Sequence, residues 1–288
     1  MKNKQLSGQK WTENVFLGFL FIGMGALIII TFSALRPTLE PVQDYLGRIG
    51  LIVLLLVATW LVRKSPRLEK YRQVLIGLLI LAAVVSLDWV FSVYVMDKLG
   101  LNGSTPMSFA LIKLNECAVV VVSVTLLTRL AGGSLGSIYI QKGNLKQGLT
   151  IGLVAFLVCV AGSVPMAQLM FKSGDLRLAR ILPWIPWLLL ASLANGAQEE
   201  LLFRGLFLRK LQPFFGKFMS SFLIAFVFTF LHQSVGYTLN DFAFLLVLVP
   251  LALAWGFITQ KTDSLWGSIL FHAGTDIPVF LSIFSRLG

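Results

Sequence analysis

Residues 73–96 read QVLIGLLILAAVVSLDWVFSVYVM, a stretch of 24 residues whose only charged side chain is Asp88. A helix of about 20 apolar residues spans the hydrocarbon core of a bilayer, so this stretch predicts a membrane helix. The whole chain repeats the pattern, since 57% of its 288 residues are hydrophobic and 13% are charged. A soluble domain carries about 25% charged residues. We therefore expect an all-α fold, a polytopic transmembrane helical bundle.

Nine apolar runs mark the candidate spans. They cover residues 15–35, 49–62, 73–96, 108–128, 148–171, 182–209, 217–234, 241–260 and 265–285. The second run is short, and the fourth contains Lys113, Asn115 and Glu116, so eight spans is the alternative. The chain divides into residues 1–147, which carry no recognisable motif, and residues 148–288, which carry all of the motifs described below.

The basic residues predict the orientation in the membrane. With the N-terminus inside, sixteen of the 24 Lys and Arg residues fall in inner segments and seven in outer segments. Cytoplasmic loops of membrane proteins carry such an excess. We therefore expect a multi-pass protein of the plasma membrane with a cytoplasmic N-terminus. The net charge of +11 then belongs to loops beside the lipid bilayer and does not indicate a nucleic-acid partner.

Three polar groups interrupt the apolar runs of the last hundred residues. They are QEELLFRG at 198–205, Phe228-x-x-x-His232 and His272-x-x-x-Asp276. An ionisable side chain at the bilayer centre costs about 2.5–3.5 kcal/mol, so each of these residues needs a partner or a function. Both histidines of the chain lie in these groups.

The spacing within the first group predicts how its charges are used. Glu200 and Arg204 are four residues apart, so they share a helix face and can pair. Glu199 points about 100° away and is left for another contact. A plain buried salt bridge explains Glu200 and Arg204 equally well. A His272–Asp276 pair that merely joins two helices is the corresponding structural explanation for the third group.

The depths of these groups do not agree if the helices are straight. A turn near Pro213 would place Glu199 at roughly 21 Å from the turn and His232 at roughly 28 Å, at 1.5 Å per residue. His272 would lie about 12 Å past the turn at Ser264. Tilt, an interfacial helix at 206–217 or a broken helix would be needed to bring the three together.

Two chemistries fit a glutamate and two histidines that share one water molecule. The side chains act as general base and acid on that water, or Glu199, His232 and His272 bind a divalent metal such as zinc that lowers the pKa of the water. Either arrangement hydrolyses an amide bond. The chain has no His-Glu-x-x-His motif, no Gly-x-Ser-x-Gly elbow and no phosphate-binding loop.

The motifs resemble those of the CPBP family, the CAAX-protease and bacteriocin-processing intramembrane peptidases, also called the Abi family. The resemblance rests on EELLFRG at 199–205, Phe228-x-x-x-His232, Ser264-Leu265-Trp266 and His272-x-x-x-Asp276, in the family's order and spacing. It covers residues 180–285. It implies a helical core with a polar cavity that opens into the membrane.

The resemblance also implies roles for single residues. Glu199 would activate water with help from His232, Glu200 and Arg204 would form a supporting pair, and His272 with Asp276 would stabilise the oxyanion. Position 276 departs from the family, which commonly has Asn there. An ionised Asp cannot donate a hydrogen bond, so Asp276 more plausibly orients His272. The family has been described both as metalloproteases and as metal-free glutamate proteases, and the surroundings of Arg204 and Asp276 favour the metal-free form.

Three functions remain open at this stage. The resemblance favours an intramembrane endopeptidase acting on a peptide or membrane-protein substrate, through CAAX-type processing, bacteriocin or signal-peptide maturation, or self-immunity. A non-catalytic membrane scaffold that regulates a sensor kinase or a transporter is the alternative. A proton-coupled transporter would use Asp88, Lys113 and Glu116, although Lys113 and Glu116 are three residues apart and can simply pair.

Overall fold

The computed structural model describes residues 2–32, 39–233 and 235–287, with side chains from Trp11 onward. Residues 33–35 of the first predicted span lie outside this range. The predicted all-α architecture is confirmed. The helices are α1 (Lys2–Phe32), α2 (Pro41–Arg63), α3 (Arg72–Leu99), α4 (Pro106–Leu130), α5 (Leu145–Ala161), α6 (Ser163–Met170), α7 (Leu178–Ile181), α8 (Ile185–Glu200), α9 (Leu206–Leu231), α10 (Asp241–Thr262) and α11 (Trp266–Phe284).

The helices begin where the sequence provides caps. The side chains of Thr105, Asn144 and Asn240 each accept a hydrogen bond from a backbone N–H in the first turn of α4, α5 and α10. Such caps satisfy donors that the helix itself leaves free. Helix α3 is followed by Gly100, which adopts a left-handed conformation (φ 64°). A glycine in this conformation commonly ends a helix.

Among the described residues, seven helices are long and apolar enough to cross a membrane, or eight if α5 and α6, bent by 63°, form one span. The multi-pass membrane character is thereby confirmed. The predicted span 182–209 and residues 217–231 of the predicted span 217–234 fall in one helical stretch, Leu178–Leu231, and residue 234 lies outside the described residues. Two features interrupt that stretch: a π-helical turn at Leu201–Gly205 and a break at Gly216.

The chain reverses at Gly216, three residues after the turn that the sequence predicts at Pro213. Gly216 has φ 70° and ψ −179°, a backbone conformation that glycine adopts readily. The rings of Phe203 and Phe228, on either side of the break, have their centroids 5.0 Å apart. A continuous helix would separate these residues by about 37 Å. The two limbs of α9 therefore form a hairpin.

This hairpin places the first two motifs at a common depth. Glu199 precedes Phe203 by four residues, and His232 follows Phe228 by four residues. Because Phe203 and Phe228 face each other, equal steps along the two limbs bring Glu199 and His232 to the same level. Because the chain turns at Gly216 and not at Pro213, Glu199 lies 17 residues before the turn and His232 lies 16 residues after it, which removes the predicted mismatch.

A second contact places His272 at the same level. Arg209 forms an ion pair with Asp263, just before α11 begins. Glu199 lies ten residues before Arg209, and His272 lies nine residues after Asp263. The two antiparallel segments therefore climb by nearly the same distance, and the mismatch predicted from straight helices disappears.

Helix α11 lies at the centre of the bundle and contacts α5, α8 and α10. In the apolar window of α11, 61% of the residues are buried inside the protein, compared with 17% for α2, which lies at the periphery. Gly196 allows α8 to pack closely on α11. A Cβ at Gly196 would lie 3.1 Å from the backbone N of Ala273 and 3.1 Å from the backbone O of Ile269. The crossing point is thus one residue from His272.

Candidate active site

The predicted ion pair between Glu200 and Arg204 is present and completely buried. Arg204 Nη1 lies 2.8 Å from Glu200 Oε1, and Arg204 Nη2 donates to the carbonyl oxygen of Ala252 at 3.0 Å. The guanidinium also lies over the rings of Phe228 and Trp255, at 4.8 and 5.0 Å from their centroids. Side-chain exposure of both charged residues is 1% or less, so the pair is shielded from bulk solvent.

His272 joins that pair to the rest of the cluster. Its Nδ1 lies 2.9 Å from Glu200 Oε1, and its Nε2 lies 3.4 Å from Glu199 Oε2. The carboxylate of Asp276, one turn along α11, is 3.7 Å from Nε2, which is beyond hydrogen-bonding distance. The side chain that hydrogen-bonds His272 is therefore Glu200, and the predicted role of Asp276 in orienting His272 stays a prediction. Because a carboxylate oxygen only accepts, Nδ1 carries the proton in the contact with Glu200.

Glu199 has the most exposed side chain among the carboxylates of the cluster, although its Oε2 atom is buried and, within the described residues, has no hydrogen-bond partner. Its side chain is 21% exposed, whereas that of Glu200 is fully buried. Asn195, one turn earlier on α8, donates from Nδ2 to Glu199 Oε1 at 3.2 Å and to Asp276 Oδ2 at 3.1 Å. One amide group thus holds two carboxylates from two helices.

His232 lies at the C-terminal end of α9, across the Phe228 ring from His272. The centroid of the Phe228 ring is 4.5 Å from that of His232 and 5.7 Å from that of His272. His232 Nδ1 lies 2.8 Å from the carbonyl oxygen of Phe228. Since a carbonyl oxygen only accepts, Nδ1 carries the proton and Nε2 is left with a lone pair. The imidazole also interacts electrostatically with Glu199.

Three further side chains belong to the site, and none of them was assigned a role from the sequence. They are Asn195, Gln198 and Trp255. Asn195 and Gln198 were detectable, because both are polar residues in an apolar helix within four positions of Glu199. Trp255 was not, since nothing in its sequence neighbourhood marks it. Its indole stacks on the His272 ring at 3.9 Å between centroids with a 4° interplanar angle.

Tyr237 lies in the loop that follows α9. Burial raises the pKa of its hydroxyl, and the nearby carboxylates of Glu199 and Asp276 raise it further. An upward shift from the ordinary value of about 10 leaves the phenol protonated at neutral pH. Tyr237 is therefore a neutral donor at the edge of the site.

The described residues contain no group of three or more His, Cys, Asp or Glu side chains that could hold a metal ion. The ligand set Glu199, His232 and His272 therefore stays a prediction. No step proposed below is routed through a metal.

The intramembrane charges considered for a proton-coupled transporter lie on α3 and α4. Lys113 Nζ is 2.8 Å from Glu116 Oε2, so the pair predicted from the spacing is present. Asp88 accepts a hydrogen bond from Ser92 at 2.6 Å.

All six candidate residues gather in one region of the bundle. Glu199, Glu200, Arg204, His272 and Asp276 are linked by contacts of 3.7 Å or less. His232 reaches the group through Phe228. Residues from α8, the π-helical turn, α9 and α11 are therefore brought together by the tertiary fold.

Comparison with known proteins gives one match. No curated protein and no solved structure matches the chain. Residues 180–278, about a third of the chain, match the sequence model of a family described as type II CAAX prenyl endopeptidase Rce1-like, and all six candidate residues lie inside this range. This match confirms the resemblance predicted from the motifs: the C-terminal part of this multi-pass membrane protein is similar to the Rce1-like CAAX endopeptidases, in agreement with a CPBP-family intramembrane peptidase.

Proposed function

We propose that the protein is an intramembrane endopeptidase in which Glu199 activates the water that attacks the peptide bond. The observation that carries this proposal is the placement of a buried Glu199 oxygen that has no hydrogen-bond partner among the described residues beside a buried imidazole from another helix. Glu199 Oε2 lies 3.4 Å from His272 Nε2, while Glu200 and Arg204 hold the opposite side of the ring. The similarity of residues 180–278 to a peptidase family supports the same reading.

The first step is proton transfer from water. A water molecule held between the Glu199 carboxylate and the lone pair of His232 Nε2 gives its proton to one of these bases. Its oxygen then bonds to the scissile carbonyl carbon, and the carbonyl oxygen becomes an oxyanion. His272 Nε2 is directed towards this side of Glu199, so we assign it as the N–H donor that stabilises the oxyanion.

The second step breaks the carbon–nitrogen bond. The tetrahedral intermediate collapses, and the proton taken from water passes from the base to the leaving amine. Asn195 keeps Glu199 in place during both transfers, through its hydrogen bond to Oε1. Asp276 accepts from the same amide, so we assign it to the support of Asn195 and not to the oxyanion.

We propose a peptide or membrane protein as the substrate, with the scissile bond near the end of a lipid-anchored segment. The name of the matching family, which describes CAAX prenyl endopeptidases, favours a prenylated C-terminal peptide. Bacteriocin or signal-peptide processing, including self-immunity, uses the same bond chemistry and is the alternative substrate class.

The test is cleavage of tagged candidate peptides by the purified full-length protein in lipid nanodiscs. A farnesylated peptide ending in Cys-aliphatic-aliphatic-X is compared with its unprenylated form and with a leader-peptide substrate. Glu199→Ala should reduce kcat by about 10²–10⁴-fold, because it removes the general base. Each reaction is repeated with a chelator, which reports whether the ligand set Glu199, His232 and His272 holds a metal.

A non-catalytic scaffold gives a different outcome. In that case wild-type protein and Glu199→Ala are equally inactive on every peptide, and the variant keeps the biological effect at normal membrane levels. Such a result would overturn the peptidase proposal.

A further inference from the structure

The ion pair of Lys113 and Glu116 lies on α4, outside the region that matches the peptidase family. The mechanism proposed above does not use either residue. Their side chains are only 20% and 21% exposed, in a helix that spans the membrane. Since buried charges in a membrane are costly, a pair at this position invites a functional explanation.

A chain of hydrogen bonds leads from this pair to the candidate base. Glu116 Oε2 accepts from Gln198 Nε2 at 3.5 Å, and the same Nε2 donates to Asn195 Oδ1 at 3.3 Å. Asn195 Nδ2 then donates to Glu199 Oε1 at 3.2 Å. Three links therefore connect α4 to the carboxylate proposed to activate water.

The hydrogen bonds determine which end of the Asn195 and Gln198 amides is the nitrogen. The nitrogen of Asn195 faces carboxylates of both Glu199 and Asp276, which only accept, so this end must be the NH₂ group. Its oxygen then requires a donor, and Gln198 Nε2 provides it. Within the described part of the chain, Gln198 Oε1 is buried without a hydrogen-bond partner. The contact with Glu116 is thus a second hydrogen bond that orients the Gln198 amide.

The charges near Glu199 support the same connection between α4 and the candidate base. Lys113 interacts with the carboxylates of both Glu199 and Asp276, the two acids that share the amide of Asn195. Arg204, another cation of the cluster, is bound to Glu200. In a buried site of low dielectric, a cation several ångströms away still contributes.

We propose that Lys113 and Glu116 are positioning residues for Glu199. Glu116 holds the Gln198 and Asn195 amides in the orientation that fixes the Glu199 carboxylate, and Lys113 holds Glu116 and offsets the charge of the two acids. This inference rests on the proposed function of Glu199. It means that α4, in the part of the chain without a family match, completes the active site.

The test uses two matched double variants of the full-length protein in nanodiscs. Lys113→Met with Glu116→Leu removes both charges, so that neither is left buried alone. Asp44→Leu with Arg48→Met removes a comparable pair on α2, with an N–O distance of 2.7 Å and side-chain exposures of 14% and 5%. The probe is the farnesylated peptide described above.

Positioning and general packing give different kinetics. The α4 variant should lower kcat about ten- to a hundredfold, as small misplacements of a reacting group do, while KM changes less than about twofold. The α2 variant should keep kcat, because the contacts of its pair among the described residues go to Phe32, Val85 and Trp89 and not to the active site. The single variant Lys113→Arg should keep most of the wild-type kcat, since a guanidinium can also bind Glu116. Equal kcat for wild type and the α4 variant, or equal losses in the α2 variant, would overturn the inference.

A second measurement does not depend on turnover. The chain has only two histidines, so ¹⁵N-histidine labelling gives two imidazoles, and a His232→Gln sample assigns them. Displacement of Glu199 should move the His272 nitrogen signals in the α4 variant and leave them unchanged in the α2 variant. If the wild type cleaves no peptide, the proposed function fails while this signal still tests the positioning. Unchanged His272 signals and an unchanged kcat in the α4 variant would together reject the positioning role of Lys113 and Glu116.

Discussion

At the scale of single residues, the site is built on one shared atom. Glu200 Oε1 contacts both Arg204 Nη1 and His272 Nδ1. The carboxylate therefore orients the imidazole while the guanidinium neutralises the carboxylate. Removing any one of the three leaves a buried charge or donor without its partner, which costs more than the net value of the interaction.

Arg204 provides a test of this arrangement. Arg204→Met should lower the free energy of unfolding by about 3–5 kcal/mol, because Glu200 is left buried without its cation. Arg209→Met, five residues away, removes an exposed partner of Asp263 and should cost about 1 kcal/mol or less. Unfolding in mixed micelles followed by circular dichroism measures both. Equal losses of unfolding free energy in the two variants would contradict the larger cost expected for breaking the buried Glu200–Arg204 pair.

At the scale of elements, the crossing of α8 and α11 decides the distance between Glu199 and His272. Glycine at 196 allows this crossing, since any Cβ there meets backbone atoms of α11 at 3.1 Å. Backbone cannot move aside as a flexible side chain can. The close approach therefore depends on this one residue having no side chain.

Gly196→Ala should separate the two helices by a few tenths of an ångström. We expect kcat for the peptide probe to fall about tenfold or more, because the Glu199 to His272 distance increases. Gly23→Ala on α1 is the matched control, since its Cβ would meet nothing within 4 Å. That change should leave kcat unaltered and favour the helix by up to about 1 kcal/mol. Full activity of Gly196→Ala would contradict the role of the crossing.

At the scale of the whole molecule, the orientation in the membrane remains a prediction from the basic residues. Ser65 and Ser104 lie in the loops at the two ends of α3 (Arg72–Leu99). Because α3 is long enough to span the bilayer, these loops are expected on opposite sides. The loop of Ser65 is the basic one and should face the cytoplasm.

Cysteine labelling in intact cells measures this orientation. In a background with Cys117→Ala and Cys159→Ala, Ser104→Cys should react with a membrane-impermeant maleimide added outside, and Ser65→Cys should react only after the cells are opened. The reverse pattern would invert the predicted topology. Labelling of both positions from outside would show that α3 does not cross the membrane.

Contacts within one helix were predictable from the sequence alone. The Glu200–Arg204 and Lys113–Glu116 pairs and the contact of Phe228 with His232 all follow from three- or four-residue spacing, because helix geometry alone sets which side chains share a face. Composition likewise determined the membrane-spanning, all-α class, since so few charges cannot cover a soluble fold. The three motifs also single out the six candidate residues, whose catalytic roles are a proposal.

Contacts between helices were decided only by the tertiary structure. The reversal at Gly216, the hydrogen bond of His272 to Glu200, the Trp255 stack and the link from α4 to Glu199 all depend on which helices are neighbours and at what depth. In lipid, helix faces are apolar on every side, so hydropathy does not show which face meets a partner. Close packing at glycines and buried polar contacts settle that choice, and these form only once the helices have assembled.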